Sequence, residues 1–161
     1  MARFFFYGTL LDAAVQRIVF GRGIAAETMR AAVLENFRPA RARGVRYPIL
    51  VSRLGARTEG MLVAGLSDWD VARLVYYEDA GYTMQEVPVR VAPGRTTNAW
   101  VFIPSRRMVA LPTDWSLADW QRRHKPQDLP AIVEMMRAFP GPGRLSAFRR
   151  WRARRGTLVD A

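Results

Sequence analysis

The chain has no cysteine. Disulfide frameworks, thiolate nucleophiles and cysteine-based zinc sites are therefore excluded together. It also has a single histidine, His124, set in the run Arg122-Arg123-His124-Lys125. Cationic neighbours disfavour an imidazolium there, so the residue is read as a solvated histidine on a basic helix rather than a base or metal ligand. Long apolar runs are missing as well. Arg3 followed by an aromatic stretch superficially resembles a signal peptide, but Gly8 and Asp12 interrupt it too early, and nothing approaches a membrane-spanning length. No membrane span and a cytoplasmic location are the resulting expectations. Internal repeats and low-complexity tracts are absent too.

Acidic residues are in short supply: 14 against 25 basic ones, a formal net charge of +11. All but one of the basic residues are arginine. The excess is uneven, because residues 1–103 carry a net +4 and residues 104–161 a net +7. Such a tail attracts polyanions or an anionic surface through long-range, salt-sensitive forces, or is simply a solvated basic face.

What the chain does have is 161 residues, half of them hydrophobic, enough for one domain with a proper core. The stretch Phe4-Phe5-Phe6-Tyr7-Gly8-Thr9-Leu10-Leu11-Asp12 reads as a buried strand that breaks at Gly8 and hands over to a helix over 12–20. Gly8 lets the main chain turn and removes a Cβ that would keep a ligand away. Amides exposed at such a junction suit a carboxylate or a developing oxyanion. Next come a strand-like alternation around Met29, Ala31, Val33 and Phe37, an extended Tyr47–Val51, and a strand over Thr58–Leu66. Alternation at Val87, Val89 and Val91, with Pro88 marking an edge, predicts another strand, and Ala99–Ile103 a further one. Five or six strands without a regular strand–helix repeat indicate an α+β fold, a mixed sheet or small barrel rather than a doubly wound one.

Ser67 with Asp70 three residues on predicts a capping box, opening a helix whose apolar face starts at Trp69 and which ends near Gly81. Glu78 then lies in the last turn, facing the negative end of the macrodipole, beside Asp79 and among Tyr76, Tyr77 and Tyr82. All three influences raise its pKa, which suits a group that takes and returns a proton. After Pro112 the character turns helical: Ser116 with Asp119 caps one helix to His124, and Asp128 with Pro130 starts another carrying Ile132, Val133, Met136 and Phe139. Pro140–Gly143 is a break, and Arg144–Arg155 forms an amphipathic segment that docks on the barrel or lies on an anionic surface. The expected division is a domain over 1–111 and a basic helical extension over 112–161, packed on the same domain.

The ordered set Phe6-Tyr7-Gly8-Thr9-Leu10-Leu11, Tyr47-Pro48-Ile49-Leu50, Gly60-Met61-Leu62, Glu78 with Tyr82, and Val87-Pro88-Val89 resembles the γ-glutamylcyclotransferase-like superfamily, in its AIG2-like branch. The likeness covers roughly residues 3 to 104. It implies a small mixed β-barrel with flanking helices, to which this chain adds the C-terminal helices. It also implies release of 5-oxoproline from a γ-glutamyl amine or peptide by intramolecular aminolysis, with no cofactor and no metal. Carried over residue by residue, Glu78 is the acid/base. Tyr7, Gly8, Thr9 and Leu10 form the loop that holds the γ-glutamyl group through main-chain amides, Tyr47 with Pro48 lines the pocket and Tyr82 closes it. Where the pattern has an arginine two positions after the tyrosine, this chain has Met84, and Arg46 or Arg90 is left as a substitute. Two alternatives stay open: a non-catalytic small-molecule binder on the same fold, and a nucleic-acid or anionic-surface binder acting through the basic tail.

Overall fold

The computed structural model describes residues 1–78, 81–105 and 107–157. Six strands run β1 (Phe4–Phe6), β2 (Met29–Ala42), β3 (Ile49–Val63), β4 (Tyr82–Ala92), β5 (Arg95–Pro104) and β6 (Ala110–Asp114). Five helices accompany them: α1 (Ala13–Phe20), α2 (Asp68–Glu78), α3 (Leu117–Arg123), α4 (Lys125–Arg137) and α5 (Ser146–Thr157). The sheet order is β3-β1-β5-β4-β2-β6, and an extra β2–β3 pairing closes the first five strands into a barrel. Most ladders are antiparallel, but β1 runs parallel to β5, so the barrel is mixed. No helix among the described residues is long and apolar enough to cross a membrane.

Closure explains why the strands read ambiguously. The inside of the barrel is filled by Phe5, Tyr7, Ala32, Leu34, Leu62, Val89 and Val101. Its outer face is partly covered by helices, where Phe4, Phe6, Val63 and Trp100 join Val15, Val71, Leu74, Trp120 and Trp151. In the first half of β2 the buried positions are Ala32 and Leu34, not the Ala31 and Val33 expected from the alternation, and beyond the bulge they are Ala40 and Ala42. Asn36 then adopts a left-handed φ of 63° at a bulge, shifting the phase. Two extended segments expected separately, Tyr47–Val51 and Thr58–Leu66, fall for the most part in the single long β3 paired along β2, which starts at Ile49 and ends at Val63. Gly60 is dictated by packing: a Cβ there would come within 2.2 Å of the Phe6 carbonyl oxygen. Pro88 pairs only toward β5, while β2 joins β4 at Arg90, so the proline sits where no second ladder needs its missing N–H.

The capping box of α2 forms as expected: the Ser67 hydroxyl accepts the Asp70 amide, and Asp70 accepts the Ser67 amide. Asp70 is buried and also pairs with Arg22 at 2.7 Å. Trp69 does not start the buried face. It is 54% exposed and meets Phe139 edge-on, while Val71, Ala72, Leu74 and Val75 face the core. β6 has no counterpart in the sequence reading, and α4 starts three residues before Asp128, with Pro126 in its first turn and Pro130 inside it. In α5, Phe148 and Trp151 are buried against Phe4 and Trp100, which docks the arginine-rich segment on the core.

Candidate active site

At the end of β1 the backbone leaves the sheet through Gly8, whose φ of −121° is open to any residue. The glycine is needed for space instead. A Cβ would lie 2.9 Å from Pro48 Cγ, so the segment before β3 is seated on the turn. Thr9–Leu11 forms a 3-10 turn, closed by Leu11 N–H to Gly8 O and Asp12 N–H to Thr9 O, each at 3.0 Å. The amides of Thr9 and Leu10, at the start of such a turn, have no acceptor within it. Asp12 caps α1 through Oδ1, which accepts from the Ala14 and Val15 amides.

The Tyr7 side chain points into the barrel, where its hydroxyl donates to the Phe102 carbonyl at 2.7 Å. Burial and the neighbouring Glu78 keep that phenol protonated, its pKa raised well above the usual range. Thr9 and Tyr77 share a hydroxyl–hydroxyl bond of 2.6 Å that ties the turn to α2, one residue before Glu78. Tyr82 donates to the Pro48 carbonyl at 2.7 Å, and its ring lies 5.9 Å from that of Tyr47. These contacts make a frame of four tyrosines and a threonine around one carboxyl group.

That group is Glu78, the last residue of α2. The residue keeps some accessible surface, but its carboxyl is enclosed by protein, and the loss of hydration pushes its pKa from 4.5 to about 8. No arginine or lysine among the described residues forms an ion pair with it, so nothing offsets the desolvation. Of the three influences expected from the sequence, burial accounts for the shift; Asp79 lies outside the described residues. Glu78 borders two neighbouring spaces. A small inner cavity of about 30 Å³ is lined by Gly8, Thr9, Leu10, Pro48 and Phe102, and an outer cleft of about 370 Å³ opens toward α4. Thr9, Tyr47, Glu78 and Tyr82 border both. The structure thus brings together all seven residues singled out in the sequence: Tyr7, Gly8, Thr9, Leu10, Tyr47, Glu78 and Tyr82.

The arginine question is also narrowed. Arg46 borders the outer cleft and pairs with Asp128 at 2.8 Å, whereas Arg90 pairs with Glu35 at 2.7 Å and borders neither space. Met84 opens on a different cavity, between β4 and α5. Several residues of the site escaped sequence reasoning. Asp12 Oδ2 accepts from Gln121 at 2.8 Å and from Lys125, the chain's one lysine, at 2.7 Å. Burial works to raise the Asp12 pKa, but those two bonds, the Val15 amide and the lysine charge outweigh it and hold it low. Asp128 accepts from Trp120 Nε1 at 2.9 Å and from Arg46. Together these bonds lock α3 and α4 against the turn at Gly8. The helix opening at Asp12 was legible, but partners 109 and 113 residues away leave no local signal. Among the described residues no group of three or more histidine, aspartate or glutamate side chains could hold a metal ion.

Comparison with known proteins agrees with this architecture. The family described as Gamma-glutamyl cyclotransferase, AIG2-like, matches residues 4–122. Protein AIG2 C of Arabidopsis thaliana is 26% identical over 137 residues, which cover 82% of this chain and 79% of that protein. A solution structure of another Arabidopsis thaliana protein superposes with a TM-score of 0.59 at 20% identity, covering 84% of this chain and 91% of the other. A structure titled Gamma-glutamyl cyclotransferase gives 0.50 at 13% identity, with 86% and 87% covered. The likeness to those structures is one of fold. With the match running from β1 through α3, the chain belongs to the Gamma-glutamyl cyclotransferase, AIG2-like family.

Proposed function

We propose that the protein releases 5-oxoproline from a γ-glutamyl amide, with Glu78 carrying the proton. The observation that supports this reading is a single one: a carboxyl with a pKa near 8 borders the same cavity as the amides that follow Gly8. In the reaction the substrate's α-amino nitrogen attacks its own γ-carbonyl carbon, and the bond between that carbon and the leaving nitrogen breaks. The α-ammonium nitrogen loses two protons in becoming the lactam N–H and the departing amide nitrogen gains two in leaving as an ammonium, so one carboxylate that accepts and returns a proton twice balances the exchange. A free carboxyl of pKa about 8 is mostly protonated at neutral pH. An ammonium arriving beside it lowers that pKa and draws out the anion, which then accepts the proton. A chain-terminal α-amino group titrates near ~8 and the γ-glutamyl one, beside its own free α-carboxylate, somewhat higher, so the proton passes to Glu78 in the bound state, where the two charges meet. Holding the γ-glutamyl chain folded supplies orientation, which is worth several orders of magnitude in such ring closures. Thr9 and Leu10 amides, where no acceptor in the turn occupies them, receive the developing oxyanion.

Tyr47 and Tyr82 shape the cavity and Tyr77 holds Thr9 in register with α2. The same proposal places the reaction in the cytoplasm, without cofactor. It is tested by incubating the purified chain with γ-glutamyl and α-glutamyl amides and measuring 5-oxoproline. Product from the γ-linked compounds alone is expected. Absence of product from every γ-glutamyl amide, with ligand binding retained, would instead favour a non-catalytic binder. The polyanion reading gains little support, because Trp120 and Trp151 are buried and not available to stack on bases.

A further inference from the structure

The outer cleft has a wall that the family match does not include. Asp128, Ala131, Ile132 and Met135 come from α4, beyond residue 122 where the match ends. If the γ-carbonyl of the substrate reaches the inner cavity by the Gly8 turn, the departing amine extends past Glu78 into this cleft, since Glu78 borders both spaces. This step rests on the cyclisation reading above. The character of the wall then decides what the amine can be. Val45, Ile132 and Met135 supply aliphatic surface, and Tyr47, Tyr77 and Trp120 supply aromatic surface. Among the described residues the one acidic side chain on the wall besides Glu78 is Asp128, and it already accepts from Arg46 Nη1 through Oδ1 and from Trp120 Nε1 through Oδ2. Arg46 in turn is held by Asp128 and Gln127. A free carboxylate on the leaving group would share Arg46 with Asp128, and a distal ammonium would share Asp128 with Arg46, so each charge on the wall is already largely answered. Either would also give up hydration against an apolar lining.

We propose that the cleft between Tyr47 and α4 is a subsite for the leaving amine, and that it selects an amine with an uncharged, apolar or aromatic body. Ile132 and Met135 are its specificity residues. They lie one helical turn apart on one face of α4, and Asp128 stands one turn before Ile132 on the same face. The lock between α4 and the turn, through Lys125 and Gln121 on Asp12, fixes the distance from this wall to Glu78.

The test compares γ-glutamyl amides of methylamine, benzylamine, alanine and a diaminobutane, by kcat/KM for 5-oxoproline release. The benzylamide should exceed the alanine and diamine compounds by about tenfold or more, the scale on which a pocket discriminates by apolar fit. In Ile132→Ser and Met135→Ser the ratio of benzylamide to methylamide should fall about tenfold. Ala131 is exposed on the same wall, so Ala131→Asp offers a variant that leaves no cavity in the helix and should depress the same ratio. A glutaric acid monobenzylamide, which lacks the α-amino group and cannot cyclise, separates the two layers of the claim by calorimetry. Turnover with no preference for the benzylamide overturns the subsite and leaves the cyclisation standing. No turnover of any amide overturns the cyclisation; the subsite then stands if the monobenzylamide binds and loses about tenfold in affinity in the Ile132 and Ala131 variants, and falls if it does not.

Discussion

Replacing Glu78 by glutamine should make the folded chain more stable, by an amount that grows with pH. In the unfolded chain the carboxyl ionises near its ordinary 4.5, whereas in the folded chain it holds its proton until about 8. Between those values the folded state binds more protons, so stability falls as pH rises, by about 1.4 kcal/mol per unit for this one group. Below about pH 4.5 both states are protonated and the term vanishes; above about 8 both are ionised and it is constant. At pH 7 the upper figure is roughly 3 kcal/mol, and water reaching the carboxyl through the cavities reduces it to ~1–3 kcal/mol. Glutamine keeps the shape and cannot ionise, so it escapes this penalty. For a domain of this length the gain corresponds to ~3–10 °C in Tm. Urea titrations of both forms near pH 5, 7 and 8.5 measure it, and the difference in midpoint should widen from the first to the last. A difference that stays flat across the range, or a glutamine variant less stable at pH 8.5 than at pH 5 relative to native, would refute the burial argument for Glu78.

The two crowded glycines should differ in cost. Gly60→Ala brings a Cβ against a backbone oxygen at 2.2 Å, while Gly8→Ala meets the Pro48 ring at 2.9 Å, so urea midpoints should drop more for Gly60→Ala. Trp151→Ala should cost ~3–5 kcal/mol by denaturant unfolding, because the ring packs on Phe4 and Trp100; a loss under ~0.5 kcal/mol would mean that α5 is a loose appendage. Asp12→Asn removes the acceptor that Lys125 pairs with, and amide exchange in α4 should accelerate while that of β4 and β5 changes little. The depressed Asp12 pKa adds an acid-side signature: its stabilisation is present above the ordinary carboxylate pKa and is lost as pH falls through the lower folded value. The native chain should therefore lose more stability than Asp12→Asn when titrated into acid.

How much of this could be read from residues alone depended on whether the cause was local. The helix over 13–20 was legible because Asp12 caps it and Gly21 ends it in the left-handed region, and the α2 start because Ser67 and Asp70 answer each other across one turn. The inward phase of β2 was not, since a closed barrel with helices outside makes both faces of a strand partly apolar, and Asn36 slips the register midway. β6 is five residues with a proline at its centre, too short and too polar to announce a strand. In α4, Pro130 pointed to a start, but the helix had already begun at Lys125 and carries the proline on an exposed face. For the site, the turn at Gly8 and the carboxyl at Glu78 were located through a family resemblance; their proximity depends on β1 and α2 meeting across residues that share no sequence pattern. The outer cleft was invisible, because its walls come from a loop near Tyr47 and a helix some eighty residues later.

The central claim is that the carboxyl of Glu78 moves the proton in ring closure. It is tested most directly by measuring 5-oxoproline release from the best γ-glutamyl amide by native protein and Glu78→Gln, at a pH where both are fully folded. The account predicts a loss of kcat of about 10²–10⁴-fold or more with substrate binding retained. Turnover by Glu78→Gln within about tenfold of native would contradict it, and the proton carrier would have to be sought elsewhere.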